Sequence, residues 1–509
     1  MKTESSTLSL SWKRQRQLPI ALLSLLLSAC AVTAPSDRAH PGLKDSPNAL
    51  ASLHDVPEQW QAPLPHQGAT QDLRRWWAQQ GDPALLELID AAQQASPSLA
   101  AARSRILQAR ATAQSSGAAL SPTLDASLSA SRGQTQPNIP VSGILQGGLQ
   151  AAWEIDLFGA NRSTSRAAQA RLGSTEASWH DARVSVAAET AAAYLAWRHC
   201  QAQLVLAKGD AVSKGESVKL VAAALKSGFV AQSQLDVAQA SASDSASLAI
   251  AAQAQCQLQA STLVALTALP ASRIAALAAT SLQAASTSYN QFGTKVPVQV
   301  VGVPAQVLNQ RPDLHAAAQE WAAAAWDASA ADAQRYPRLV LNGSIGALTG
   351  NAGGINIDLT TWSLGPVALT MPLFDGGRRS ANRDAAVARR TEAEVLYRSQ
   401  VRQAVREVEE AMLNLQTASL RIVRAQVTQA QLQAVSGSIQ KRQKAGFASQ
   451  IETLDAERTA VGALNTVLNL QRDQALAWVA LYRAVGGGWT QVDLDISGAP
   501  AGIVDTKAP

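Results

Sequence analysis

The chain carries the same pattern of segments twice, at a fixed offset along the sequence. One copy, SPSLAAARSRILQARATAQSSGAALSP, begins at Ser96, and the other, RPDLHAAAQEWAAAAWDASAADAQRYP, begins at Arg311. Each has a proline at its second position, where a helix tolerates the missing N–H, and a second proline that ends the alanine-rich run. Two alternating stretches, a long polar and alanine-rich segment and a Gly-Phe pair follow each copy. The fold must therefore be a twofold repeat.

The N-terminus has the order of an export signal. Basic residues precede an apolar run over 18–27 that is too short to span a bilayer stably. The run closes on the letters LSAC, which resemble the lipobox of bacterial lipoproteins. We therefore predict a signal peptide over 1–29 and a lipid on Cys30, the alternative being a buried cysteine that follows a leader. Residues 30–80 are predicted to form a lipidated tether, because they combine many prolines with little apolar periodicity.

Two cysteines remain after the predicted cleavage, and their positions are symmetric. Cys200 and Cys256 lie equally far from Gly228, the glycine of the first Gly-Phe pair. If Gly228 is the turn of an antiparallel helical hairpin, the two sulfurs lie at the same height and can form a disulfide in an oxidising compartment. The alternative is two separate small core residues.

Composition narrows the class of protein. Of the 509 residues 47% are hydrophobic and 16% charged, which excludes a disordered chain. No internal run reaches the roughly 20 apolar residues of a spanning helix, which excludes a helical membrane transporter. The net charge of +5 forms no basic block, so nucleic acid is not an expected partner. The six histidines show no ligand spacing and no catalytic motif occurs, so we predict no metal, no enzyme and no cofactor beyond the lipid on Cys30.

Four short stretches alternate with period two, which is typical of strands with one apolar and one polar face. They cover about 123–132, 146–157, 338–348 and 361–373. A length of about ten residues suits a tilted transmembrane β-strand, although an ordinary half-buried sheet has the same pattern. The loop letters GQTQPNIPVSG and LTGNAGGINIDLT suggest exposed hairpin ends, and Gly365-Pro366 suggests a bulge or bend. Four strands cannot close a barrel in lipid, so the chain must oligomerise.

The remaining long segments have helical periodicity and almost no proline. We predict helices over about 161–226, 231–269, 378–444 and 449–485, the longest on the order of 100 Å at about 1.5 Å per residue. Apolar residues of the third segment follow the four-three rhythm of a coiled coil. Polar residues on the other faces suit a helical tube that is wet inside and outside.

Six motifs together resemble one known family. They are the lipobox at Cys30, GDPALLELI, LNQRPDL, YPRLVLNGSIG, WSLGPVALTMPLFDGGRR and GFASQIETLDAER. In this order, on a duplicated strand-strand-helix-helix frame, they resemble the TolC-like outer-membrane factors, and among them the lipoprotein (NodT-type) branch of multidrug-efflux channels. The resemblance covers nearly the whole mature chain.

The resemblance implies a mixed α+β fold built as a homotrimer. Each copy would give four strands to one twelve-stranded outer-membrane β-barrel, which a long periplasmic α-helical barrel continues. The implied partners are outer-membrane lipid, a periplasmic adaptor protein and an inner-membrane pump of the resistance-nodulation-division type. We divide the chain into a first repeat over 81–285, an equatorial linker over 286–310, a second repeat over 311–487 and a tail over 488–509.

The resemblance also places a gate and a docking surface at the periplasmic tips. By their match to the family's acidic constriction, Glu452 and Asp455 are predicted to narrow the pore, with Asp236 as the counterpart in the first repeat. For Glu452 an ordinary solvated helix start explains the acid equally well, because acids favour the positive end of the helix dipole. The exposed Gly-Phe pairs are predicted to dock the adaptor: Gly228, Phe229, Gly446 and Phe447.

The function implied by the resemblance is a passive exit conduit for drugs or other small toxic compounds. Alternatives within transport are a secretion duct or a copper and silver exit channel. An alternative of another class is a structural envelope lipoprotein, which would need no amphipathic ten-residue strands.

Overall fold

The computed structural model describes residues 60–61, 76–134, 141–284, 304–352 and 355–489. Within them the helices are α1 (Trp76–Gln79), α2 (Pro83–Ala95), α3 (Pro97–Ala118), α4 (Ala160–Lys226), α5 (Gln232–Thr267), α6 (Ala271–Ala284), α7 (Pro304–Leu308), α8 (Pro312–Ala333), α9 (Arg378–Lys444) and α10 (Gln450–Ala484). The strands are β1 (Thr123–Gly133), β2 (Ser142–Ile155), β3 (Arg338–Ala352) and β4 (Ile355–Thr370). The predicted signal peptide over 1–29 and Cys30 lie outside the described residues.

The chain divides into two compact units, which we call the sheet unit and the helical unit. In the described part the sheet unit comprises residues of Ala119–Thr164 and Asp327–Arg383, and the helical unit comprises the remainder. Both repeats contribute to both units. The predicted mixed α+β fold with a duplicated strand-strand-helix-helix frame is confirmed, and the chain is mostly helical with one four-stranded antiparallel sheet.

The sheet has the antiparallel order β1-β2-β3-β4, so β1 and β4 are its edges. Ala126, Leu149, Ile345 and Trp362 are paired in one row across all four strands. The adjacent row is polar and contains Asp125, Gln150, Ser344 and Ser363, with a 2.8 Å hydrogen bond between the two serine hydroxyls. Since successive residues point to opposite faces, one face is apolar and the other polar. Every residue of β1 is exposed in a single copy.

The second hairpin of the sheet is longer than predicted. β3 continues to Ala352 and β4 begins at Ile355, so the predicted strand bounds of 348 and 361 and the long loop between them are wrong. The alternation of apolar and polar residues continues there, with Ile355, Ile357 and Leu359 on one face of β4, but this is the face opposite to that of Trp362. The Asn351 side-chain amide donates to Asn356 Oδ1 at 2.7 Å across the extended pair of strands. The period-two signal therefore changes phase before the backbone pairing ends.

The predicted irregularity at Gly365-Pro366 is confirmed as a β-bulge. Leu341 pairs with Val367 and Gly343 pairs with Leu364, so β4 carries one residue more than β3 between these pairs. A proline without an N–H is tolerated where the ladder is interrupted in this way.

The helical unit contains two hairpins, α4/α5 and α9/α10, whose first helices have 67 residues each. At about 1.5 Å per residue each of these helices is about 100 Å long. The predicted heptad seam of α9 is buried at Val401, Val408, Met412, Leu415 and Ile422, but Ala404 is buried in place of the predicted Val405, which is half-buried. Large side chains from α1, α2, α4 and α10 join the part of this seam from Val408 to Leu415 in one hydrophobic core. Among the described residues no single helix is both long and apolar enough to cross a membrane.

Three predicted boundaries are wrong, because core residues lie in segments assigned to tether, linker and tail. Trp76 is fully buried and stacks on Tyr482 with ring centroids 5.1 Å apart, so the tether does not extend to residue 80. Leu308, at the end of the predicted linker 286–310, is also fully buried. Trp489, in the predicted tail 488–509, is buried with its ring 5.2 Å from that of His315. Isolated large side chains bury apolar area without giving a periodic signal.

Candidate functional site at the hairpin tips

Both helical hairpins turn at a glycine in the left-handed conformation. We call Ser227–Ala231 the first tip and Ala445–Ser449 the second tip. Gly228 has a φ of +76° and Gly446 a φ of +79°, which a residue with a Cβ adopts only at a cost. The next N–H reaches back five positions in each tip, from Phe229 to Ala224 O at 2.9 Å and from Phe447 to Arg442 O at 2.8 Å. The two tips therefore use the same Schellman-type cap.

The two phenylalanines of these caps are exposed. In this type of cap the residue after the glycine frequently packs against the last turn of the helix. Here the side chains are instead 84% exposed at Phe229 and 76% exposed at Phe447. The structure therefore places all four predicted docking residues at the turns, with both rings available to a partner. Their docking role stays a prediction.

Glu452 belongs to the N-terminal cap of α10. The Ser449 hydroxyl accepts a hydrogen bond from the Glu452 N–H at 3.0 Å, and the Glu452 carboxylate accepts one from the Ser449 N–H at 3.3 Å. This reciprocal capping box satisfies two helix-end donors. The helix-start explanation of Glu452 thus has direct structural support, and its gate role stays a prediction.

Asp455 lies one turn further along α10 and forms an ion pair with Arg458. The Arg458 guanidinium also donates from Nη1 to Ser217 Oγ at 3.2 Å and to Ser213 Oγ at 3.5 Å. Both serines belong to α4, so this set of four residues, which we call the Arg458 link, connects the second hairpin to the first. The Asp455 side chain is 62% exposed and its carboxylate remains accessible to solvent. Sequence reasoning missed Arg458, although its spacing of three from Asp455 was a usable signal.

Asp236 occupies a simpler setting in the first repeat. Its carboxylate accepts one hydrogen bond, at 2.8 Å, from the Gln232 side chain one turn earlier. The N-cap position of α5 is Ala231, which makes no side-chain cap hydrogen bond. The first tip therefore lacks the reciprocal cap of the second.

The two tips lie at nearly the same height along the helices. Gln203 of α4 donates to Asn469 Oδ1 of α10 at 3.0 Å. The number of residues from Gln203 to Gly228 is almost the same as the number from Gly446 to Asn469. The Arg458 link gives the same alignment nearer the tips. Because a helix rises about 1.5 Å per residue, the tip glycines differ in height by only a few ångströms.

The predicted cysteine pair forms a disulfide in the structure. Cys200 of α4 and Cys256 of α5 have Cα atoms 5.5 Å apart, and both belong to the hydrophobic core. Since Gly228 is midway between them in the sequence, the bond fixes the height of one helix against the other. The neighbouring His199 is also buried, and this burial, aided by the charge of Arg472, lowers its pKa to about 4.

The LNQRPDL motif surrounds a buried cation. Arg311 donates to Asp313 at 2.7 Å, to Glu407 at 2.8 Å and to the Ala484 carbonyl at 2.8 Å. It thereby joins the start of α8 to α9 and to the end of α10. Burial and the nearby carboxylate of Asp313 raise the pKa of Asp181. In the described part of the chain no group of three or more His, Cys, Asp or Glu side chains could hold a metal ion.

The known proteins that this chain resembles are outer membrane proteins of efflux systems. A family model described as outer membrane efflux protein matches residues 88–269 and 303–487, one block in each repeat. The chain is 30% identical to the solvent efflux pump outer membrane protein SrpC of Pseudomonas putida, over 80% of this chain and 86% of that protein. It is 29% identical to the outer membrane protein OprJ of Pseudomonas aeruginosa, over 92% and 95% of the two chains.

A solved structure supports the same fold. The CmeC outer membrane channel of Campylobacter jejuni superposes with a TM-score of 0.71 at 22% identity, over 87% of this chain and 92% of that one.

Proposed function

Because the chain belongs to the outer membrane efflux protein family, we propose that it is the passive exit channel of a tripartite efflux system. Proteins of this family are outer membrane channels and not enzymes. An inner-membrane pump, of the resistance-nodulation-division type, would supply the energy, and a periplasmic adaptor would connect it to this chain. The cargo would be drugs or other small toxic compounds. The lipid on Cys30 would anchor the chain to the membrane.

The observation that carries the proposal is the amphipathic sheet with its two edges. Across β1 to β4 one row of side chains is apolar and the next is polar, yet the apolar residues Leu124, Leu128, Trp362 and Leu364 are exposed in one copy. Hydrocarbon lipid would cover that face, but it cannot satisfy the backbone groups of the β1 and β4 edges. Pairing β4 of one copy with β1 of the next removes the edges, and three copies give twelve strands.

We assign the gate to the second tip. Copies of Glu452 and Asp455 around a threefold axis would bring six carboxylates near the pore. The Arg458 link would hold α10 against α4 and keep the tips together. The hydrogen bonds of Arg458 to α4 reach two serine hydroxyls, and hydrogen bonds of a charged group contribute about 1.5–3 kcal/mol each. A bound adaptor that offers other acceptors to the guanidinium could replace them.

Single-channel recording from the purified full-length oligomer tests the proposal. The wild type should conduct as a trimer. Glu452→Ala/Asp455→Ala should weaken cation preference, and Arg458→Ala should raise the resting current. Arg472→Ala is the matched control, because Arg472 lies on the same helix and also pairs with an aspartate, Asp473, but far from the tip.

The outcomes separate the two parts of the proposal. A stable monomer without conductance would overturn the channel. A conducting trimer in which both Glu452→Ala/Asp455→Ala and Arg458→Ala behave as the wild type would overturn only the gate assignment.

A further inference from the structure

We propose that five apolar side chains near the loop end of the sheet face the lumen of the barrel and bind the apolar groups of passing cargo. We call this set the lumen patch: Ile144 of β2, Leu348 of β3, and Ile355, Ile357 and Leu359 of β4. The inference rests on the proposed function, because it takes the polar face of the sheet as the wall of the conduit. It assigns to that wall a binding site for molecules with apolar surface.

Strand β4 changes the phase of its alternation twice, and the backbone compensates only once. The bulge described above inserts one residue, so Val367 and Leu364 on its two sides lie on the same face of the sheet. Between Trp362 and Leu359 the sequence changes phase again. Here every residue from Ile355 to Leu364 keeps its partner in β3 without a register shift. Leu359 therefore lies on the face opposite to Trp362.

The strand pairing places the lumen patch on the polar face of the sheet. Leu359 pairs with Leu348, and this row continues through Gln146 to Ser129 of β1. Leu348 is four residues from Ser344 along β3, so both side chains point to the same face. Ser344 belongs to the polar row described above. The patch is thus an apolar area on the face that we assign to the lumen.

The members of the patch lie close together and are partly exposed. Ile144 and Ile357 are in one row, on the two sides of Gly350. A Cβ on Gly350 would lie 3.5 Å from Ile144 Cγ1, so the isoleucine already covers the space above the glycine. In one copy Ile355 is 69%, Ile357 47% and Leu359 53% exposed. An exposed apolar patch with polar neighbours is typical of a binding site.

The outward face at the same height is polar, which excludes lipid hydrocarbon as the partner of these residues. Asn356 lies between Ile355 and Ile357 on the strand and points to the other face. Its row continues through Asn351 to Arg132 of β1, by way of a glycine. Polar residues of this kind lie beyond the apolar band of a transmembrane barrel. The apolar side chains at this end of the sheet therefore have their contacts inside the barrel.

The three patches of a trimer cannot cover one another across the lumen. Twelve strands about 4.8 Å apart and tilted by about 40° give a barrel roughly 24 Å across between backbones. Side chains of the size of leucine leave most of that width open. The patches therefore face water, and burying their apolar area against a passing molecule is favourable. The serines and glutamines elsewhere on the wall offer no such gain.

Thiol labelling of the purified full-length trimer tests the orientation. Cys200 and Cys256 are bonded to each other, so a cysteine introduced on β4 offers a free thiol. A positively charged methanethiosulfonate reagent should attach to Leu359→Cys and lower the single-channel current. The matched control Asp358→Cys points outward and should keep its current. An unchanged current in Leu359→Cys, whether the residue points outward or the loop between β1 and β2 covers it, would overturn the inference.

Block of the current by organic cations tests the binding. Tetrapentylammonium and tetramethylammonium carry the same charge but differ in apolar surface, so the ratio of their half-blocking concentrations reports apolar contact alone. Ile355→Thr/Ile357→Thr/Leu359→Thr should raise the half-blocking concentration of tetrapentylammonium about tenfold relative to that of tetramethylammonium, because three copies lose apolar area. Asn356→Thr/Asp358→Thr, at the same height on the other face, is the control and should leave the ratio unchanged. If the triple variant does not form trimers, Leu359→Thr alone should shift the ratio in the same direction.

The outcomes separate this inference from the channel itself. If the patch variant conducts with the same ratio as the wild type, the lumen patch does not bind cargo and the channel stands. The same holds if the control variant shifts the ratio equally. If the wild type forms neither a trimer nor a conducting pore, the proposed function fails and the inference fails with it.

Discussion

The two helical hairpins have the same type of glycine turn, but the contacts that stabilise them lie at different distances from that turn. The α4/α5 hairpin is joined covalently in the core, far from its tip, and its N-cap position, Ala231, has no side-chain cap. The α9/α10 hairpin has no cysteine, but its tip carries the Ser449 cap and the Arg458 link to α4. The glycine turn, which backbone geometry requires, is therefore the same in both repeats, whereas the disulfide, the Ser449 cap and the arginine of the Arg458 link each occur in one repeat only. The first hairpin is fixed far from its tip by a covalent bond, whereas the second is held near its tip, where we propose the gate, by hydrogen bonds and an ion pair.

Removing the disulfide should have the largest effect. Cys200→Ser/Cys256→Ser opens a covalent loop with a sequence separation of 56, for which chain entropy predicts a loss of about 4 kcal/mol. Guanidinium unfolding followed by circular dichroism would measure it. Resting conductance should stay near that of the wild type, because the tip contacts remain. A large rise in resting current would show that the core bond, and not the Arg458 link, holds the tips.

Acid should weaken the same core through His199. Burial holds its pKa at about 4, against about 6.5 in the unfolded chain, so the unfolded state binds more protons between these values. His199 therefore leaves stability intact above pH 6.5 and lowers it as the pH falls toward 4, by at most about 3 kcal/mol. Melting temperatures of wild type and His199→Gln over this range test it. Equal slopes for the two proteins would contradict the assignment.

Removing the cap should loosen the second tip only. Ser449→Ala leaves the Glu452 N–H without its hydroxyl acceptor and should cost about 1 kcal/mol. Hydrogen exchange should accelerate at the first amides of α10 and remain unchanged at those of α5. If exchange accelerates at both tips, the two hairpins do not open independently of each other.

Adding a cap should tighten the first tip, with the smallest effect. Ala231 has φ −80° and ψ 156°, the extended geometry that an N-cap serine adopts. Ala231→Ser should therefore slow amide exchange at the start of α5 and stabilise it by about 0.5–1 kcal/mol. Ala231→Val, which offers no hydroxyl, is the control. Equal exchange in the two variants would show that the first tip does not respond to capping.

Much of this fold follows from local patterns. Period-two alternation predicted four strands, heptad spacing predicted the buried seam of α9, and the equal distances of Cys200 and Cys256 from Gly228 predicted which cysteines could meet. These predictions succeeded because strand and helix signals repeat over many residues and the cysteines are referred to a single turn. The burial of Trp76, Leu308 and Trp489 was not predictable in this way, since each is a single large residue whose contacts come from distant elements.

In the candidate site, too, the positions of the residues could be predicted from local patterns, but the contacts of Glu452 could not. The sequence marks the tips, because a left-handed turn requires glycine, and it marks acids near them. It does not show that Glu452 caps its own helix, because a capping acid and a pore-lining acid occupy the same helix positions.

By itself, the sequence determined the duplication, the strand and helix periods and the positions of the turns, since these depend on backbone geometry within a few residues. Only the tertiary structure decided that Arg458 reaches across to Ser213 and Ser217, and that Arg311 joins the start of α8 to α9 and to the end of α10. Those features depend on which helix lies beside which, and no local pattern specifies that neighbour.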